Sequence, residues 1–439
     1  MTEKQPTDRR HATALDLGEV HSERIDWRFK AFPLDGEDPA VSDVGLRGWH
    51  ALAGELCFPV LVLRDSALQH NIELMSRFCE SHHVSLAPHA KTPLSPQIAA
   101  RQIAAGAWGI SVATIHQARV MRRMGVRRIL LASQLLEERP LAWVAGELLN
   151  DSSFDFICLA DSERGVDLME RYLARYVSPA EGIKLRVLVE MGAEGGRTGC
   201  RTIEEARSLA AMIAATDFLE LAGVEAYENV FGVADFSESM SRVDSLLVDV
   251  RELVTRLDDD GLFASVDEVI VSAGGSVFFD RVVERLTEWD LSTPVRTVLR
   301  SGSYIAQDAE FAAMSPLGGR AESGERLQEA LELWAMVLSR PEPGLAVLGF
   351  GKRDVAHDRG LPVPFAVRRG SATEPPGTLR VLSLDDQHAR CSVDADQPLS
   401  PGDTVGLHIS HACTTFDNWR LIPLVDDHYK VLEAIRSYL

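Results

Sequence analysis

No run of about 18 consecutive apolar residues occurs in this chain of 439 residues, so no segment has the length of an ordinary membrane-spanning helix. Its six cysteines, Cys57, Cys79, Cys158, Cys200, Cys391 and Cys413, are scattered, with no Cys-x-x-Cys pair and no dense framework. That pattern excludes a disulfide scaffold and reads as free thiols in a reducing compartment. Basic residues are outnumbered, 45 against 65 acidic ones, for a formal net charge of -20. The balance argues against nucleic acid and anionic membranes as partners. The first residues, Met1 to Pro6, are polar with no apolar h-region, and a cytoplasmic location is expected. Neither a Gly-x-Gly-x-x-Gly fingerprint nor a P-loop is present, and no internal repeat or low-complexity segment stands out.

What is present is ordinary for a folded protein: 46% apolar and 25% charged residues, at a length that allows a sizeable core. Residues 1–25 are polar. Phe58 to Leu63 reads as a strand, followed by a helix capped at Asp65 or Ser66 with Leu68, Ile72, Met75 and Phe78 at helical spacing. Short apolar runs then recur near 84–90, 108–113, 129–133, 154–160, 185–190, 221–226, 269–273 and 295–299, with helical stretches between them. Eight such units imply a parallel sheet, and their number suggests a (β/α)8 TIM-type barrel over an open doubly wound sheet. Beyond about residue 315 Pro and Gly become frequent, and closely spaced strand-like runs predict a C-terminal antiparallel β domain. Tyr429 to Tyr438 reads as a closing helix. The expected partition is an N-terminal segment over 1–55, a barrel over 56–315 and a β domain over 316–439.

Chemistry-bearing residues fall at the expected C-terminal ends of the barrel strands, where barrel sites are built. The sharpest is Pro88-His-Ala-Lys-Thr92. A lysine closing a buried strand loses charge through burial, and a neutral amine is what imine formation with a carbonyl needs. A strand would put His89 and Lys91 on one face; the plainer reading is a strand-end lysine in solvent. Ser272-Ala-Gly-Gly-Ser276 can cradle a phosphate, because adjacent glycines let backbone amides approach an anion and Ser276 adds a hydroxyl. Arg197, in Gly195-Gly-Arg-Thr-Gly199, can meet a phenolate or carboxylate. In the C-terminal part, His408-Ile-Ser-His411-Ala-Cys413 would place His411 and Cys413 on one strand face and His408 on the other. That pair suits a zinc-like ion, against the plain alternative of a buried histidine and an inert thiol.

Together these motifs, with Ala226-Tyr227, Gly302-Ser-Tyr304 and Gly349-Phe-Gly-Lys-Arg-Asp354, resemble the fold-type III pyridoxal-phosphate enzymes related to alanine racemase. Within them the chain is similar to the D-serine dehydratase-like and D-threonine aldolase group, from about Phe58 to Asp426. The resemblance implies pyridoxal 5'-phosphate on Lys91, with Gly274, Gly275 and Ser276 on its phosphate, Arg197 near its phenolic oxygen, Arg300 on its pyridine nitrogen, and Tyr227 and Tyr304 beside it. It implies Lys91 and His89 as catalytic residues. It also implies a divalent metal, zinc or manganese, on His411 and Cys413, and a homodimer. His-x-Cys favours the dehydratase side, a D-serine or D-3-hydroxy amino acid ammonia-lyase. Retro-aldol cleavage of the same substrates is the alternative, with a racemase or a non-catalytic cofactor-binding protein behind it. The roles of Lys352, Arg353 and Asp354 stay open at this stage.

Overall fold

Val60, Leu61, Val62 and Leu63 form an unbroken apolar run, and a computed structural model of the chain shows all four fully buried. A strand without a polar face needs cover on both sides. β1 (Val60–Arg64) is accordingly an interior strand, yet of the C-terminal sheet and not of the barrel. The structure describes residues 14–33, 36, 38–228, 236–321 and 324–439. Two compact units emerge. One contains Ser76–Lys91 and Gln102–Gly302; the other contains Asp16–Met75, Thr92–Arg101 and Ser303–Leu439. This division differs from the expected boundaries at 55 and 315: residues 56–75, 92–101 and 303–315 group with the C-terminal sheet, where β1 pairs, Gln97 bonds to Glu433 and to Ala434 O, and Ala330 N–H donates to Ala306 O.

The first unit is the barrel. Its strands are β2 (Ser85–Leu86), β3 (Ile110–Val112), β4 (Arg128–Gln134), β5 (Asp155–Ala160), β6 (Leu185–Met191), β7 (Leu219–Ala226), β8 (Val269–Ser272) and β9 (Val295–Leu299). They are parallel, in the order β2-β9-β8-β7-β6-β5-β4-β3. The seam between the two end strands is closed by hydrogen bonds from Trp108 N–H to Leu86 O (2.7 Å), Ser111 N–H to Pro88 O (3.0 Å) and Ala90 N–H to Ser111 O (2.8 Å). Ala87, Leu130, Ile157, Leu159, Leu188, Ala222, Ile270 and Val298 form one buried cluster from seven of the strands or their immediate ends. Burying such an aliphatic side chain contributes roughly 1.5–3 kcal/mol for the larger members.

The helices between strands follow local rules. Ile203–Ala214 starts at Thr202, whose hydroxyl accepts from Glu205 N–H while Glu205 reaches back to Thr202 N–H. Its buried residues Ala206, Leu209, Ala210 and Ile213 lie at spacings of three and one, a single face.

The second unit holds the remaining strands: β10 (Leu331–Glu342), β11 (Leu345–Leu348), β12 (Val363–Arg369), β13 (Ala372–Glu374), β14 (Arg380–Leu384), β15 (Ala389–Ser392), β16 (Thr404–His408), β17 (Leu421–Val425) and β18 (Val431–Arg436). The main path is β13-β12-β16-β10-β1-β17-β18, with β11 joining β10 to β15 and β14 on β15. Every pairing is antiparallel except β1 with β17. A TIM-type barrel with a C-terminal antiparallel β domain is thus the observed architecture. The closing helix expected over 429–438 is instead β18, which pairs with β17 from Leu421↔Arg436 to Val425↔Val431. A ten-residue segment mixing apolar and charged residues does not separate helix from strand by periodicity, and the open edge of β17 decides it. No helix of the described residues is long and apolar enough to cross a membrane.

Candidate active site

The barrel strands carry polar groups at their C-terminal ends. Lys91 lies one residue past Ala90, in a turn, and is exposed. The burial expected for it is therefore not observed, and the strand alternation stops at the His89↔Ser111 bridge. His89 is the group that burial affects. Desolvation, then the positive charges of Lys91, Arg300 and Arg197, hold its imidazole well below the ordinary range, so it is neutral. Its Nδ1 lies 3.5 Å from Lys91 N–H, a long contact in which the ring nitrogen accepts.

Glu190 and Glu225 are register neighbours on β6 and β7, and Ser272 follows on β8. Gln134 Nε2 donates to Glu190 Oε2 at 2.5 Å, and the Thr198 hydroxyl to Glu190 Oε1 at 2.6 Å. Burial raises the Glu190 carboxyl above its usual value. Glu225 is pushed up to about 8 by burial, with Arg300 opposing and Glu190 and Glu228 reinforcing the rise. Arg300 is buried, pairs with Glu225 and donates from Nη2 to Ala226 O at 2.8 Å. Among the described residues, Glu225 Oε2 and Arg300 Nε are buried without a hydrogen-bond partner. Arg197 stacks on the Tyr227 ring at 4.4 Å, and the two line a cleft with Glu190, Met191, Gly192, Ala193, Gly196 and Thr198.

The Gly274-Gly275 turn follows β8. Gly274 has φ +97°, open to glycine, and a Cβ there would stand 2.6 Å from Leu299 Cδ2. The amides of Gly274 and Gly275 donate to Glu228 at 3.0 and 2.5 Å. Ser276 follows in the same turn.

In the second unit His411 and Cys413 are in side-chain contact, by a route other than strand alternation. β16 ends at His408; His411 caps a short helix, Ala412–Phe416, that contains Cys413. His408 is engaged elsewhere, with Glu329 and stacked on Phe365. His411 Nδ1 meets Asp358 Oδ2 at 2.8 Å, and Thr414 donates to Asp358 Oδ1 at 3.1 Å. Thr92 Oγ1 lies 3.2 Å from Cys413 Sγ. Burial lowers the His411 pKa, but Cys413 and Asp358 outweigh it and carry the ring to about 9. Tyr304 is buried in a one-turn helix, Ser303–Ile305. Asp354 is structural: it accepts from Gly351 N–H at 3.1 Å and Lys30 Nζ at 3.0 Å, and its carbonyl takes Trp419 Nε1–H at 2.7 Å. Lys352 and Arg353 are exposed on the same turn.

Residues 64–311 match the "Alanine racemase, N-terminal domain" family model, more than half of the chain. The chain belongs to the alanine racemase-like family. Residues 330–425 of this family member match a second model, "Putative serine dehydratase domain". It is 24% identical to a 3-hydroxy-D-aspartate aldolase of Paracoccus denitrificans (strain Pd 1222), over 83% of this chain and 88% of that one. Its structure is similar to that of D-threonine aldolase from Filomicrobium marinum, with TM-score 0.71, 26% identity and coverage of 88% and 96%. It also shares its fold with D-threo-3-hydroxyaspartate dehydratase from Delftia sp. HT23, with TM-score 0.67, 21% identity and coverage of 87% and 97%. These structural neighbours are fold-type III pyridoxal-phosphate enzymes, as this chain's fold is.

The side chains fit the groups that such a fold implies. Two convergent amides on a glycine turn, already holding a carboxylate, suit a phosphate. The orphaned polar atoms of Glu225 and Arg300 suit a polar ring edge. A thiol in contact with an imidazole that also meets a carboxylate is a donor set that suits a zinc-like ion. Among the described residues no group of three or more His, Cys, Asp or Glu is arranged around a metal position. Glu190 and Glu225 are visible in the sequence as carboxylates ending apolar runs, Val187-Leu-Val-Glu190 and Gly223-Val-Glu225, where an unpaired charge is costly, though no role follows from that alone. Glu228, in Ala226-Tyr-Glu-Asn229, carries no such signal.

Proposed function

We propose that this protein is a pyridoxal-phosphate-dependent lyase of D-3-hydroxy amino acids that eliminates the β-hydroxyl, releasing a keto acid and ammonia. The observation that carries elimination is the contact of His411 with Cys413 backed by Asp358. A metal-free Cys→Ala form and a His→Ala variant, two positions apart, are among the solved structures of D-threo-3-hydroxyaspartate dehydratase, and His411 and Cys413 have that spacing.

Lys91 would hold the cofactor through its amine, and that amine, when free, would be the base for the Cα proton. The bound cofactor supplies the sink for the electron pair left on Cα. Burial, and then the neighbouring cations, lower the His89 pKa, so the ring stands beside Lys91 without adding charge. Arg197 and Tyr227 line the cleft, and the buried pair of Arg300 and Glu225 lies at the ends of the barrel strands β9 and β7. His411 and Cys413 would hold a zinc-class ion, whose chemistry is Lewis acidity toward a hydroxyl oxygen. Water lost from Cβ is regained when the enamine hydrolyses, so the atoms balance for keto acid plus ammonia.

Retro-aldol cleavage is the second reading, favoured by the aldolases among the relatives. Incubation with D-serine, D-threonine, the 3-hydroxyaspartates and their L forms, assaying keto acid, ammonia, glycine and aldehyde together, separates the two. Glycine and aldehyde as sole products would falsify elimination. A homodimer in solution is part of the same reading and is checked by light scattering.

A further inference from the structure

The amides of Gly274 and Gly275 converge on a single side chain. Gly274 N–H donates to Glu228 Oε2 at 3.0 Å and Gly275 N–H to Glu228 Oε1 at 2.5 Å. Glu228 is fully buried. The carbonyl side of the turn is committed in the other direction: Arg300 N–H donates to Gly274 O at 3.0 Å and the Ser301 hydroxyl to Gly275 O at 2.8 Å. Those bonds fix the turn with both amides aimed at the carboxylate. Two preorganised amides form an anion site whatever anion fills them.

Each amide has one proton to donate. The pair cannot serve Glu228 and a phosphate group at full strength, and a carboxylate held against a phosphate dianion is repelled by it. We propose that Glu228 is the competing anion of the cofactor's phosphate site, so that bound phosphate and docked Glu228 are alternatives. Cofactor uptake is then an exchange of one anion for another on the same two amides. The amides are satisfied in either state, and the displaced carboxylate lowers the apparent affinity for phosphate. This rests on the reading of the barrel as a pyridoxal-phosphate site, and the test below separates the two.

The full chain is stripped of cofactor and compared with Glu228→Gln and Glu228→Ala, each checked for a cooperative thermal melt. Inorganic phosphate is titrated by calorimetry, and pyridoxal 5'-phosphate and phosphate-free pyridoxal by tryptophan fluorescence. Removing the competing charge is expected to tighten inorganic phosphate and pyridoxal 5'-phosphate about tenfold, with pyridoxal unchanged. Unchanged or weaker phosphate affinity in a variant that melts cooperatively overturns the proposal, as does an equal gain for pyridoxal. Tighter phosphate with no uptake of either cofactor form by any chain supports the competition and fails the cofactor reading instead. A readout without variants is the 13C shift of the Glu228 carboxylate in labelled wild-type protein: saturating phosphate must move it, and no movement overturns the proposal.

Discussion

Glu190 and Glu225 stand opposite one another in register on β6 and β7, two buried carboxyls on neighbouring strands. Gln134 and Thr198 satisfy the first; Arg300 pairs with the second but leaves its Oε2 without a partner among the described residues. Burial and the neighbouring carboxylates prevail over Arg300 and lift Glu225 to about 8.

A pH dependence follows from that lift. A carboxyl whose folded pKa exceeds its unfolded one stabilises the fold fully below the unfolded value, and the contribution is lost as pH rises through the folded value. For Glu225 the window runs from the ordinary 4.5 to about 8. Urea denaturation of the cofactor-free protein at pH 6 and pH 9 is expected to show wild type losing stability between them, and Glu225→Gln losing less. Equal losses would count against a neutral Glu225.

Lys91→Ala is expected to abolish both turnover and the visible or near-ultraviolet absorbance of bound cofactor. Since Lys91 is exposed, its loss should leave stability within about 0.5 kcal/mol. A retained absorbance band in a cooperatively folded variant would remove Lys91 from the cofactor.

Asp358 fixes the His411 ring through Nδ1. Asp358→Asn is expected to weaken zinc affinity by about 10–100-fold, read by competition with a chromophoric chelator. Chelation of wild type should remove most activity and keep the cofactor absorbance, and Cys413→Ala should do the same. Full activity in metal-free protein would refute a role for the ion.

Thr202→Ala removes the hydroxyl that caps Ile203–Ala214. The expected cost is about 1 kcal/mol of stability, with cofactor affinity unchanged. A shift in cofactor affinity would mean that this helix end bears on the rim.

Much of the architecture was legible along the chain, because a parallel barrel strand is buried on both faces and leaves a short apolar run wherever it occurs. Gly274, Gly275 and Arg300 stand out in the sequence because they end apolar runs, and Arg197 because it lies in a glycine-rich loop. The premise behind Lys91 was less sound. Its surroundings were inferred from Val84 to Ala87, but the chain turns at Ala90 and leaves the lysine exposed. His89, two residues earlier, takes the strong desolvation instead.

The sequence by itself determined the strand–helix alternation, the glycine turn and the His-x-Cys spacing, since each is a matter of local pattern. Tertiary structure alone decided which sheet receives β1, whether 431–436 is strand or helix, and how His411 meets Cys413 across the start of a helix. It alone brought Asp358 to His411 and Glu228 to Gly274 and Gly275, partners 53 and 46–47 residues away. Pairing of this kind depends on which edge is open and which buried polar group lacks a partner, and both are properties of the folded chain.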